Sequence, residues 1–181
     1  MTFEELALPG VYRIGIEPHS DERGFFARTV CEDTLVARRL VSRFRQSSVS
    51  FNHISGTVRG LHYAVPPHAE TKIVRCTRGT IRDVVVDLRE GSPTYLRSVG
   101  VDLNAEARDA LYIPAGLAHG FQTLTDGAEV LYMIDRAFVA HAARGVRWDD
   151  PAFAVAWPEP ITVISERDLA FPAWTGAEPA A

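Results

Sequence analysis

Short apolar runs separated by turn residues recur along this chain. Its 13 glycines and 11 prolines are spread through the sequence rather than clustered. Many short runs with regular turn signals between them are typical of an all-β sandwich or barrel. The clearest runs are residues 11–16, 71–76, 80–88, 98–103, 110–113 and 128–134. Residues 32–40 differ, because helix-forming residues and apolar positions at Leu35 and Leu40 predict a short helix there.

The composition narrows the class of protein. With 181 residues, 46% of them hydrophobic and 23% charged, the chain suits one globular domain spanning residues 1–181. A net charge of −4 provides no general basic field to hold nucleic acid. We expect no signal peptide, because the N-terminus lacks a basic region followed by an apolar stretch. We expect no membrane span, because no apolar run approaches the length of one. Cys31 and Cys76 could pair, but two free thiols in a cytoplasmic protein are the expectation.

Glycine-containing dipeptides mark the predicted turns. Arg78-Gly79, Glu90-Gly91 and Asp126-Gly127 each predict a hairpin turn. Asp-Gly is the strongest of these signals, because both residues tolerate positive φ angles. Residues 114–116, Pro-Ala-Gly, predict a break in a strand just before His119.

The segment around His62 combines an imidazole with cations. Alone, His62 would be interpreted as a core histidine, but Arg59 precedes it closely and Lys72 lies on the next apolar run. Two cations beside a neutral imidazole indicate a site where the cations bind an anion and the imidazole transfers a proton. In a regular strand, Arg59 and His62 would point to opposite faces. We expect Gly60 to form a bulge that brings them to one face, and a regular ladder through Gly60 would remove this hypothesis.

Three further residues each allow two interpretations. Tyr132 is either an ordinary strand aromatic or the second proton-transfer group that inversion at a carbon requires. Asp168 is either a solvated charge or helix cap, or a carboxylate that orients His62. Arg23, in a charged turn before two aromatics, is either solvated or suited to a phosphate and a flat base.

A metal site is not expected. His119 lies in a segment that resembles the second motif of the cupins, which are small double-stranded β-barrels. The first motif of metal-binding cupins carries a His-x-His pair, whereas residues 61–64 here read Leu-His-Tyr-Ala. A metal needs three or four ligands at good geometry, and the two motifs supply only two.

Nine short sequence segments, taken in order, are distributed over almost the full chain. They are residues 21–26, 56–63, 72–75, 83–88, 91–94, 113–121, 131–132, 144–151 and 164–168. Each segment is modest alone, but the ordered set is specific, and it resembles the dTDP-4-dehydrorhamnose 3,5-epimerase family.

The resemblance implies a fold and a reaction. The implied fold is a cupin-type double-stranded β-helix, a jelly-roll barrel with a few short helices, which forms a homodimer and uses no metal or other cofactor. The implied substrate is a nucleotide-diphosphate sugar with a keto group at C4 and a deoxy C6. The leading candidate for this substrate is dTDP-4-dehydro-6-deoxyglucose. Protons at C3 and C5 are acidic because each carbon lies next to the C4 ketone, so inversion at these carbons is the implied reaction.

The resemblance also implies a role for each matching residue. His62 corresponds to the base, Asp168 to its partner and Tyr132 to the general acid. Lys72 lies near the C4 oxygen, where it would stabilise the developing negative charge. The implied substrate-binding positions are Arg23, Phe26, Arg28, Gln46, Ser48, Arg59, His119 and Phe138.

Alternatives remain open at the sequence level. Arg28, Ser47-Ser48 and Met133 differ from the common family pattern, and the first two fall among its nucleotide contacts, so a CDP- or other NDP-sugar is an alternative substrate. An epimerase acting only at C3 or only at C5 is an alternative activity. Two different classes are a metal-dependent cupin dioxygenase and a non-catalytic sugar-nucleotide binding module, and retention of the three proton-transfer positions disfavours the second.

Overall fold

Antiparallel strands dominate the chain. A computed structural model describes residues 1–176. Its strands are β1 (Thr2–Glu5), β2 (Tyr12–Gly15), β3 (His19–Asp21), β4 (Gly24–Phe26), β5 (Gln46–Asn52), β6 (Val58–Ala64), β7 (Lys72–Arg78), β8 (Thr80–Asp87), β9 (Ser98–Asn104), β10 (Ala110–Ile113), β11 (Leu117–Thr123), β12 (Ala128–Ile134) and β13 (Ala143–Gly145). The helices are α1 (Glu32–Ala37) and α2 (Glu166–Leu169), with a 3-10 turn at Ala140–Ala142. The all-β prediction is confirmed, and so is the short helix, which ends at Ala37.

The strands form two large sheets and one small hairpin. The first sheet has the order β1-β2-β10-β7-β12-β5, and the second has the order β13-β6-β11-β8-β9. Strands β3 and β4 pair only with each other among the described strands. Within residues 1–176, no helix is long and apolar enough to cross a membrane.

The main core lies between the two sheets, and β8 shows how the sequence builds it. Ile81 and Val85 point inward against residues of the first sheet such as Val130. Val84 and Val86 point the other way and pack under the C-terminal segment. A strand covered on both faces is apolar at nearly every position, which explains the valine run.

The outer face of the first sheet is covered by α1. Leu35 of this helix is fully buried against Ile73 and Tyr112. The apolar positions that predicted the helix therefore also fix it to the sheet.

Two of the three predicted hairpins are wrong. Arg78-Gly79 joins β7 in the first sheet to β8 in the second, and Asp126-Gly127 joins β11 in the second sheet to β12 in the first. Gly79 and Gly127 do have positive φ angles, 74° and 65°, so the chain turns as predicted. It passes between sheets at these turns, and the flanking strands do not pair. Glu90-Gly91 does lie between paired strands, β8 and β9.

Candidate functional site

A bulge in β6 brings Arg59 and His62 to the inner face of the second sheet. Opposite β11, His62 pairs with His119 and Arg59 pairs with Phe121, with a register shift between the two pairs. The extra residue falls at Gly60, whose φ of 132° favours glycine. A Cβ at Gly60 would lie 2.6 Å from the backbone of β11. The bulge predicted from the sequence is confirmed.

His62 is paired with Asp168 from α2. The distance between His62 Nε2 and Asp168 Oδ1 is 2.8 Å, and the Gly60 N–H donates to Asp168 Oδ2 at 3.1 Å. The Asp168 N–H donates to the N-cap hydroxyl of Ser165 at 3.1 Å, which fixes the helix turn. Burial by itself would raise the pKa of Asp168, but the hydrogen bonds with His62, Gly60 and Ser165 lower it below its ordinary value. The carboxylate is therefore held in its charged form against the imidazole.

Phe171 packs against the His62 ring in an edge-to-face contact. The two rings lie 5.6 Å apart at 78°. A Cβ at Gly145 would come within 2.2 Å of Phe171, so the absent side chain of Gly145 leaves room for the phenyl ring. The His62 side chain is 38% exposed, which leaves part of the imidazole open to a ligand.

A second His–carboxylate pair lies deeper in the barrel. His119 Nε2 is 3.0 Å and 2.9 Å from the two carboxylate oxygens of Asp83, and the two side chains are 4% and 0% exposed. The ring of Tyr132 meets the His119 ring at 6.0 Å and 77°. Burial and the negative charge of Asp83 raise the pKa of Tyr132 well above its ordinary value, although Arg59 opposes them. The phenol is therefore protonated at neutral pH.

These side chains line a cleft between the two sheets, which we call the inner cleft. It has a volume of about 240 Å³. Its lining is Ser48, Ser50, Arg59, His62, Lys72, His119, Tyr132 and Ile134. His62 comes from the second sheet and Tyr132 from the first, so a ligand in the cleft would have an imidazole and a phenol on different walls.

Lys72 connects the inner cleft to a neighbouring one. Its Nζ lies 2.9 Å from Glu70 Oε1, and the two side chains are 10% and 16% exposed. The outer cleft has a volume of about 210 Å³. Its lining includes His62, His68, Glu70, Lys72, Phe138, Arg144 and Arg167. The sequence-predicted Phe138 therefore lies in a cleft that shares His62 and Lys72 with the first.

Four predicted residues lie elsewhere. Arg23 is 84% exposed and pairs with Asp21 at 2.5 Å in the β3–β4 turn. Phe26 and Arg28 line a separate cleft beside Met1. Gln46 lies at the start of β5 opposite Ile134, and it is absent from the linings of the inner and outer clefts.

Three residues of the site were missed in the sequence. The sequence around Asp83 could have indicated its role, because a carboxylate within a buried valine-rich strand is costly unless it is paired. Ser50 shares the face of Ser48 two positions along β5, and Glu70 precedes Lys72 by two positions. Among residues 1–176, no three His, Cys, Asp or Glu side chains cluster closely enough to hold a metal ion.

Comparison with known proteins gives one consistent family. Residues 5–175 match the family model described as dTDP-4-dehydrorhamnose 3,5-epimerase. The dTDP-4-dehydrorhamnose 3,5-epimerase of Sinorhizobium fredii is 39% identical over 95% of this chain and 89% of its own length. A dTDP-4-dehydrorhamnose 3-epimerase of Streptomyces niveus is 36% identical over 93% of this chain and 81% of its own.

Solved structures agree with this result. The dTDP-4-dehydrorhamnose 3,5-epimerase of Elizabethkingia anophelis superposes with a TM-score of 0.93 at 33% identity, covering 96% of each chain. The enzyme of the same name from Bacillus anthracis, solved with TDP and PPi bound, has a TM-score of 0.90 at 34% identity and covers 96% of this chain and 99% of its own. The predicted cupin-type double-stranded β-helix is thereby confirmed.

Proposed function

This chain belongs to the dTDP-4-dehydrorhamnose 3,5-epimerase family and is an isomerase, and on that premise we propose its substrate and mechanism. The proposed substrate is a 4-keto-6-deoxy nucleotide-diphosphate hexose, with dTDP-4-dehydro-6-deoxyglucose first, and the proposed reaction is inversion at C3 and C5. The observation that carries the proposal is the His62–Asp168 pair, which shares the inner cleft with a protonated Tyr132 on the other sheet.

His62 is proposed as the base. Its Nε2 donates to Asp168, so Nδ1 carries the lone pair that takes the proton from C3 or C5. The electrons of the broken C–H bond form the enolate double bond, and the C4 oxygen takes the negative charge. Asp168 stabilises the imidazolium that results.

Lys72 is proposed to hold the C4 oxygen. An ammonium group has three donors, and only one is needed for Glu70. The others are available to the oxyanion, and such stabilisation is usually the largest catalytic contribution.

Tyr132 is proposed to return a proton to the opposite face of the carbon. The enolate double bond supplies the electrons for the new C–H bond. The tyrosinate then regains a proton from solvent, and the imidazolium releases one to solvent. No redox step occurs, so no redox cofactor takes part in the proposed reaction.

The remaining cleft residues are proposed to bind the substrate. Arg59 suits the diphosphate, because guanidinium groups bind phosphate oxygens strongly. Ser48 and His119 line the inner cleft and suit the sugar. Phe138, at the outer cleft and 64% exposed, suits stacking on the nucleotide base.

A homodimer is part of the proposal. Arg23, Phe26 and Arg28 are implied in substrate binding, yet they lie exposed on or just after the β3–β4 hairpin and outside the inner cleft of their own chain. In a dimer, the hairpin of one protomer would be able to reach the cleft of its partner. We further propose that residues 1–181 act as a single domain in the cytoplasm, in keeping with free thiols at Cys31 and Cys76.

Incubation with dTDP- or CDP-4-keto-6-deoxyglucose in D2O tests the proposal. We expect deuterium at C3 and C5 of the dTDP sugar by NMR. Deuterium exchange with the CDP sugar alone would show that the substrate carries CDP in place of dTDP. Absence of exchange with both sugars would overturn the proposal.

A second candidate function is inversion at C3 alone. The Streptomyces niveus relative named as a 3-epimerase favours it. Deuterium at C3 without deuterium at C5 in the same experiment would establish this function in place of the first.

A further inference from the structure

We propose that Ser50 is a further substrate-binding residue, whose hydroxyl turns into the inner cleft and donates a hydrogen bond to the diphosphate oxygen nearest the sugar. This inference rests on the proposed function, since it concerns the same cleft and the same class of ligand.

The position of Ser50 on β5 places it beside the reacting groups. Ser48 lies opposite Tyr132 on β12, and Ser50 lies opposite Val130, two positions further along. Alternate residues of a strand share a face, so Ser50 points into the barrel with Ser48. Both serines line the inner cleft.

The hydroxyl of Ser50 makes no hydrogen bond within the described part of the protein. Its Oγ is buried and has no hydrogen-bond partner among the described residues. Buried hydroxyl groups are almost always hydrogen-bonded, so each exception requires a reason. A ligand that supplies the missing partner is such a reason.

A rotation of the side chain would present this hydroxyl to a ligand. Ser50 lines the cleft although its Oγ is covered in the present rotamer. Serine has three staggered χ1 wells, and rotation between them breaks no hydrogen bond here, because the hydroxyl makes none. In the free protein the Ser50 hydroxyl thus lacks a hydrogen bond, and a bound ligand would supply one.

The neighbours of Ser50 indicate which part of the ligand it meets. On one side, Asn52 accepts a hydrogen bond from Arg59 Nε at 2.7 Å, which anchors the guanidinium proposed for the diphosphate. On the other side, Tyr132 faces Ser48 at the sugar position. Ser50 lies between these two points, where the sugar joins the diphosphate. A hydroxyl donor to a phosphate oxygen makes a charge-assisted hydrogen bond.

Ser50→Ala tests the inference through two measurements on the full chain. We expect the KM for the dTDP sugar and the Kd of dTDP to rise about tenfold, with kcat changed less than about threefold. We also expect the Tm of the ligand-free protein to rise, because the variant removes an unpaired buried hydroxyl. Thr77→Val is the matched control: its exposed hydroxyl on β7 is hydrogen-bonded to Glu129, outside the inner cleft, and neither KM nor Kd should change.

The outcomes separate this inference from the proposed function. If the wild-type protein exchanges deuterium but Ser50→Ala leaves KM and Kd unchanged, the inference is overturned and the proposed function stands. A fall in Tm would overturn it as well, because it would show that the hydroxyl has a structural partner. If the wild-type protein exchanges no deuterium, the proposed function fails, and the Kd of dTDP still decides whether Ser50 contacts a diphosphate.

Discussion

The barrel contains two His–carboxylate pairs on adjacent strands, and their surroundings differ sharply. His62 and His119 lie directly opposite each other on β6 and β11. The side chains of His62 and Asp168 are 38% and 6% exposed, whereas those of His119 and Asp83 are 4% and 0% exposed. The same two functional groups therefore have different capacities. An imidazole with an open face can take a proton from a substrate, whereas an enclosed imidazole held by a buried carboxylate is not placed as a base.

The comparison is tested most strongly by removing the open imidazole. His62→Ala should lower deuterium exchange at C3 and C5 by about 10³-fold or more, because no other group in the cleft is placed as a base. NMR of the sugar in D2O measures this loss. His53→Ala, an exposed histidine outside the inner cleft, should exchange at the wild-type rate. Wild-type exchange in His62→Ala would remove the distinction between the two pairs.

The two carboxylates should separate activity from stability. Asp168→Asn should reduce kcat by about 10²-fold, because the imidazolium loses its partner charge. The same variant should keep most of the free energy of unfolding of the wild-type protein. Asp83→Asn should reduce the free energy of unfolding by about 2 kcal/mol, because it weakens a fully buried pair. Epimerase kinetics and urea denaturation of both variants measure these effects. The opposite ranking would assign the catalytic pair to the deeper site.

Tyr132 allows a finer test, because it touches the enclosed pair yet lines the open cleft. Tyr132→Phe should lower inversion about tenfold more than it lowers deuterium exchange, since proton removal can proceed without the acid. Comparing the rate of product formation with the rate of deuterium incorporation gives both values. Equal losses would contradict the division of roles between His62 and Tyr132.

The smallest expected effect is a pH dependence of stability. Because the pKa of Asp168 lies below 3.8 in the folded protein, its contribution is present above the ordinary pKa and is lost as the pH falls through the lowered value. Wild type should exceed Asp168→Asn in free energy of unfolding at pH 7, and the difference should shrink below about pH 4. Urea denaturation at both pH values tests this. A constant difference would mean that the carboxylate charge does not contribute.

Local patterns predicted much of the fold. Alternating and valine-rich runs located the strands, and Gly60 between Arg59 and His62 predicted the bulge, because the parity of a strand can be read from spacing alone. The same local signals failed at Gly79 and Gly127. A positive φ angle turns the chain equally well within one sheet or between two, so only the packing of the sheets decides which strands pair.

The site was less predictable because its parts are distant in sequence. Asp168 lies 106 residues from His62, and no local pattern distinguishes such a carboxylate from a helix cap, which Asp168 also resembles. Family resemblance supplied the pairing that the geometry then displayed. Arg23 and Phe26 illustrate the limit, since their place on an exposed hairpin depends on how the whole chain folds.

The C-terminal segment that carries Asp168 makes activity separable from the fold. It lies at the edge of the barrel and is attached by contacts that include Val58 N–H to Val163 O at 2.8 Å and Trp174 N–H to the Asp150 carboxylate at 2.6 Å. Peripheral segments of this kind open locally at lower free energy than a sheet core unfolds. On warming, His62 should therefore lose its carboxylate partner while the barrel is still intact, so that inactivation precedes melting.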